Sequence, residues 1–226
     1  MDPMKPLIVF DVNETLLDLG PIRDGFEAAF GDRSLAGVWF GQLLKLSFVA
    51  SITGRYRPFT ELAVASFDMV TDSAGFTVAP EERDSILARI RSLPPHPDSE
   101  AGLSSLRDHG FRLVALTNSP QATADAQLSH AGLDRYLERI MSVDMVRTFK
   151  PAAVVYRAAA VALDLPIGDL MMVAAHDWDI AGAMAAGTRG AFVAREGQVL
   201  DPGQRPPDFV GADIEDVARQ LIAAFG

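Results

Sequence analysis

The chain has 226 residues, 49% of them hydrophobic and 22% charged, enough for one full domain with a substantial insertion. It has no cysteine, which excludes disulfides, thiolate nucleophiles and cysteine-based metal sites. A formal net charge of −10 argues against a nucleic-acid surface, but not against a small anionic substrate, because a local cation can override the global sign.

Residues 1–6 lack the charged-then-apolar pattern of a signal peptide. No run approaches the roughly 18 apolar residues of a membrane span. The longest candidate, Val154 to Leu165, carries Arg157 and Asp164. The expectation is a cytoplasmic protein that engages neither membrane nor nucleic acid.

Leu7 to Phe10 is a short apolar run that ends abruptly in Asp11, the pattern of an interior strand of a parallel sheet. Pro21 to Phe30 reads as a helix with Ile22, Phe26 and Phe30 on one face. Leu35 to Thr53 reads as a long helix, largely buried or facing a pocket, with Trp39, Leu43, Leu46 and Val49 at helical spacing. Thr60 to Ala74 and Pro80 to Ser92 are two more helices, the first followed by Gly75. The stiff run Pro94-Pro95-His96-Pro97 closes this region.

Strands and helices then alternate. Helices are predicted at 98–109, 121–131, 153–163, 180–186 and 214–225, and strands at 111–116, 139–143, 170–174 and 190–194. A short last strand is predicted at Phe209-Val210. The result is an α/β fold: a Rossmann-like, mostly parallel sheet flanked by helices, with a helical cap inserted after the first strand. The core comprises residues 1–15 and 97–226, and the cap residues 16–96.

Ligands bind outside the carboxyl ends of strands in such sheets. Four strand ends carry polar groups: Asp11 with Thr15, Thr117 with Asn118, Lys150, and His176 through Asp179. Each has a bland reading of its own, and Asp11 alone could cap the next helix. Together they suit a nucleophilic Asp11. Lys150 would keep it ionised, Thr15 and Asn118 would donate hydrogen bonds, and Asp179 would position Lys150 or a hydrolytic water.

Phe10-Asp11-x-x-x-Thr15-Leu16, Leu116-Thr117-Asn118, Lys150-Pro151, and Asp179 with Gly182 and Gly187 resemble the haloacid dehalogenase superfamily over nearly the whole chain. Within it, Gly54-Arg55-Tyr56-x-x-Phe59, Tyr156 and Trp178-Asp179 are most similar to the type II (L-2-)haloacid dehalogenases. The resemblance implies attack of Asp11 on the α-carbon of a 2-haloacid, then hydrolysis of the ester to a 2-hydroxyacid, with no metal or other cofactor.

The alternative is a phosphatase of the same superfamily with an altered metal site. Its usual second Asp, two residues after the nucleophile, is Asn13 here. Its metal-binding acid falls on Ala175, although a shifted register would offer Asp177. The dehalogenase pattern is also remodelled. Its halide-binding Arg is Phe40 here, and the Asn before its Trp-Asp pair is His176. Asn13, Phe40, Tyr156, His176 and Trp178 are expected around the substrate, and one hypothesis is that Asn13 and His176 supply the leaving-group donors in place of the missing Arg. The expected ligand is a small anionic organic substrate, and the apolar cap helices suit a homodimer.

Overall fold

A computed structural model describes residues 5–226; residues 1–4 of the N-terminal stretch read above lie outside the described residues. Six strands form one wholly parallel sheet: β1 (Leu7–Phe10), β2 (Leu113–Thr117), β3 (Arg139–Ser142), β4 (Leu170–Ala174), β5 (Arg189–Val193) and β6 (Phe209–Gly211). Their order is β3-β2-β1-β4-β5-β6. β1, β2 and β4 are buried along their whole length, which is why each reads as an unbroken apolar run.

The strand order reverses at β1, where β2 lies on one side and β4 on the other. Phe10 pairs with Ala115 and with Val173, and Asp11 N–H donates to Val173 O at 3.0 Å. Asp11 therefore leaves the sheet in the crevice where doubly wound folds place their ligands.

The insert after β1 consists of α1 (Gly20–Phe30), α2 (Leu35–Thr53), α3 (Phe59–Ser73) and α4 (Pro80–Ala88). Phe26 holds it together, with ring centroids 5.9 Å from Trp39 and 5.2 Å from Phe67. The core helices are α5 (Ser99–Asp108), α6 (Gln121–His130), α7 (Ala153–Ala162), α8 (Asp177–Ala186) and α9 (Ile214–Phe225).

Four sequence expectations change. The buried seam of α2 runs through Trp39, Phe40, Leu43, Ser47 and Ala50, leaving Leu46 half-buried and Val49 exposed. An almost uniformly apolar helix carries little periodic signal to orient it. The same helix, not Val154 to Leu165, is the longest apolar segment, and by length and composition alone it could cross a membrane. Here it packs in the cap, although much of its outer side, including Val38, Val49 and Ile52, is exposed.

Residues 89–92 tighten into a 3₁₀ turn after α4. Most important for the site, α8 begins at Asp177 rather than Ile180. His176 is extended and caps it, and Asp177 and Asp179 sit in its first turn, where the helix dipole favours negative charge.

Helix α8 crosses very close to Pro151. A Cβ at Gly182 would lie 2.3 Å from Pro151 Cβ and 2.6 Å from its carbonyl oxygen, whereas one at Gly37 in α2 meets nothing within 4 Å. Gly182→Ala should destabilise the protein by about 1–3 kcal/mol, and Gly37→Ala should stabilise it by roughly 0.5–1 kcal/mol. Thermal denaturation of the two variants should move the midpoint in opposite directions.

Candidate active site

Lys150 Nζ is the centre of the crevice. It donates to Asp11 Oδ1 at 2.8 Å, to Asp179 Oδ2 at 2.6 Å and to the Leu116 carbonyl at 2.9 Å. These three bonds use all the hydrogens of an ammonium. Lys150 and Asp179 are wholly buried and Asp11 is 5% exposed. The backbone N–H of Lys150 donates to Asn118 Oδ1 at 2.9 Å, so β2 also fixes the segment that carries it.

The second oxygen of Asp11 has two partners. Thr15 Oγ1 accepts the Ala175 N–H at 2.9 Å, so its own hydrogen points to Asp11 Oδ2, 2.8 Å away. His176 Nδ1 lies 3.1 Å from the same oxygen, and His176 Nε2 lies 3.2 Å from Glu14 Oε2. Carboxylates only accept, so both ring nitrogens must donate and the ring is an imidazolium. Glu14 Oε1 in turn accepts from Arg23 at 2.7 Å.

The titration behaviour follows from these contacts. Burial pushes the Asp11 carboxyl up, but Lys150 and His176 together hold it below the usual carboxylate range. Burial lowers His176, yet its bonds to Asp11 and Glu14 raise it to about 9. For Asp179, burial outweighs the pull of Lys150 and leaves it above the ordinary value. Burial opposes the charge on Lys150, and the two carboxylates overcome it, raising that group.

The structure brings Asp11, Thr15, Lys150, Asp179 and His176 into one hydrogen-bonded cluster and puts Asn118 beside it. Thr117 Oγ1 instead accepts the Ser119 N–H at 3.1 Å and shapes the turn after β2. Tyr156, grouped by resemblance with the substrate residues, stands behind the cluster. Its hydroxyl donates to Asp179 Oδ1 at 2.6 Å, because a buried phenol needs a buried acceptor.

Asn13 is tied into the core. Its amide donates to Ser119 Oγ at 3.3 Å and its oxygen accepts from Gln127 at 3.0 Å. The two N–H groups of His176 are already spent on Asp11 and Glu14, so the expected role of His176 as a hydrogen-bond donor to the leaving group does not fit. Asp177 lines a separate cavity with Leu200 and Arg205, away from Asp11.

Phe40 and Trp178 sandwich His176, with ring centroids at 5.8 and 5.1 Å and planes within 28°. Aromatic faces at this range favour a cation. Two cavities lie on either side of Phe40. One, of about 240 Å³, reaches Glu14, His176 and Trp178. The other, of about 260 Å³, lies between Asn13, Ser119 and Thr123 and the apolar cap residues Leu43, Phe59 and Val64. Asn118 Nδ2 is a buried donor with no protein partner.

Sequence reasoning missed Glu14, Arg23, Ser119 and Gln127. A Glu in a polar loop gives no signal of its own. Its placement depends on a left-handed backbone, φ 60°, that brings the side chain between His176 and Arg23.

Comparison with known proteins adds to this geometry. Residues 5–187 match the haloacid dehalogenase-like hydrolase family. An (S)-2-haloacid dehalogenase of Pseudomonas sp. (strain YL) is 27% identical over 228 residues, covering 100% of this chain and 98% of the relative. A haloacetate dehalogenase, H-2, of Moraxella sp. (strain B) is 24% identical, covering 96% of this chain and 97% of the relative. The solved L-2-haloacid dehalogenase of Xanthobacter autotrophicus with chloropropionic acid covalently bound superposes with a TM-score of 0.89 at 23% identity, covering 97% of this chain and 98% of that one. The chain belongs to the haloacid dehalogenase-like hydrolases.

Proposed function

We propose that the chain is a hydrolytic dehalogenase of small 2-haloacids that works through an ester on Asp11. One observation carries this: Asp11 is held ionised with a single acceptor position left free. Oδ2 accepts two hydrogen bonds and Oδ1 only one, from Lys150, so the remaining lone pair of Oδ1 is the nucleophile. Similarity to the (S)-2-haloacid and haloacetate dehalogenases supports the substrate class.

Oδ1 attacks the α-carbon, and the halide departs with the bonding electrons. Water then attacks the ester at Asp11 Cγ and returns the carboxylate. Asp179, with one oxygen on Lys150 and the other on Tyr156, fixes the ammonium. Asn118 Nδ2 and the second amide hydrogen of Asn13 remain for the substrate's polar ends. The apolar cap wall fits a small carbon skeleton.

The phosphatase alternative is less well supported. Mg²⁺ takes oxygen ligands, usually with carboxylates. Here Asn13 and Ala175 occupy the positions of the two acids, and Asp177 faces elsewhere. The Lys150 ammonium abuts one Asp11 oxygen and a cationic His176 the other, so a further cation there would meet two like charges. These residues do not fit the ion.

Halide release from 2-chloropropionate should be unaffected by EDTA and should fall roughly 10⁴-fold or more in Asp11→Asn. Mg²⁺-dependent phosphate release from phosphate esters, without halide release, would overturn the proposal. Lys150→Met should also abolish turnover. It leaves two buried carboxylates without their cation, so urea denaturation should show a loss of about 3–5 kcal/mol.

A further inference from the structure

We infer that His176 and Thr15 form an oxyanion hole for hydrolysis of the Asp11 ester, and that Glu14 is the positioning residue that keeps His176 charged there. The inference rests on the proposed ester chemistry but concerns its second half.

Once Oδ1 carries the substrate carbon, Oδ2 is the ester carbonyl oxygen. Water adds to Cγ, and the electron pair of the Cγ–Oδ2 double bond moves onto Oδ2. The tetrahedral species then collapses, the Cγ–Oδ1 bond breaks, and Oδ1 leaves as the hydroxyl oxygen of the product. One water proton ends on that hydroxyl and the other passes to solvent. The negative charge that builds and decays is on Oδ2.

Two donors already converge on that atom: the Thr15 hydroxyl at 2.8 Å and His176 Nδ1 at 3.1 Å. The hydroxyl is locked in direction by the Ala175 N–H. The imidazolium is clamped flat between Phe40 and Trp178 and hydrogen-bonded at its far nitrogen to Glu14. Donors fixed in advance around a developing oxyanion, in a site shielded from water, are a major source of rate enhancement. The arrangement of acceptor, His and carboxylate orienter also matches the logic of a hydrolase triad, with His serving as a charge rather than a base.

Glu14 adopts its left-handed backbone in order to reach the ring, and Arg23 holds the other side of its carboxylate. A strained non-glycine residue next to a nucleophile needs a reason, and the charge on His176 supplies one. The resting protein has Asp11 and Glu14 both sustaining the imidazolium. The ester removes the Asp11 charge at the moment the cation is needed, so Glu14 alone must hold it.

The charged groups around His176 are Asp11 and Glu14 on the loop after β1, Arg23 of α1 behind Glu14, and Lys150 behind Asp11. Asp177 and Asp179 lie on its own helix, and Phe40 of α2 is neutral. Protonated His176 is the active form, so ester hydrolysis should fall as pH rises through its pKa. In the free protein that value is about 9. In the ester it should lie lower, and lower again in Glu14→Gln.

The test uses 2-chloropropionate with the parent, His176→Gln and Glu14→Gln, following halide release and acid-quenched intact mass. In His176→Gln, hydrolysis should slow by about 100-fold, giving a burst of halide equal to the enzyme present and an accumulated ester. Folding of the variant is checked by near-ultraviolet circular dichroism. In Glu14→Gln, the alkaline limb of ester hydrolysis should move to lower pH. Parent-like turnover of His176→Gln without ester, or a Glu14→Gln limb at the parent pH, would overturn the inference alone. No halide from the parent would overturn the haloacid proposal and this inference with it.

Discussion

Lys150 Nζ is shared by two buried carboxylates and a strand-end carbonyl, and every other polar group in the crevice is arranged around that sharing. An ammonium taken out of water costs several kcal/mol unless its hydrogens are used and its charge matched. Asp11, Asp179 and the Leu116 carbonyl do both. They come from β1, the first turn of α8 and β2, so the cluster ties together three neighbouring segments of the sheet edge. Gly182 belongs to the same constraint, because only a residue without Cβ lets α8 approach Pro151 closely enough for Asp179 to meet Lys150.

From Asp179 the charges alternate outward: Asp179, Lys150, Asp11, His176, Glu14, Arg23. The chain runs from complete burial to a half-exposed guanidinium. Neighbouring charges are opposite and close, so a low dielectric strengthens the attraction between them. The resemblance implies an Arg in the cap where this chain has Phe40, and an Asn where it has His176. The two changes suit each other. An Arg at position 40 would press a second cation against His176, whereas a phenyl face accommodates the imidazolium. On that resemblance, the positive charge beside Asp11 sits in the core rather than in the cap.

Much of this was legible in the sequence, for a clear reason. Strands buried on both faces must be apolar, so a polar residue at the end of such a run stands out. Asp11, Asn118 and the polar segment after Ala174 were found that way. Residues whose roles depend on a side chain reaching across space were not. Glu14 is one, because nothing in Asn13-Glu14-Thr15 announces a left-handed turn. Gln127 falls within the predicted helix 121–131 with nothing to single it out, yet it is buried against Asn13 and the Ile90 carbonyl. The orientation of α2 was lost to its own uniformity, since an apolar residue on every side leaves packing rather than pattern to choose the face.

The helical insert is what makes so charged a cluster serviceable. Tyr56 donates to Asp144 at 2.6 Å, and Ser51 accepts the Phe149 N–H at 3.0 Å, so the cap is latched to the loops after β3 beside Lys150. Trp39, Phe40, Leu43 and Phe59 then roof the crevice with carbon. In water the same donors would each be worth a fraction of what they are worth here, because solvent dipoles would screen them and would have to reorganise as charge moves. Under the roof the dipoles are already in place. On the proposed chemistry the cap acts by excluding water; among the described residues it donates no hydrogen bond to Asp11, and Phe40 offers His176 a neutral face.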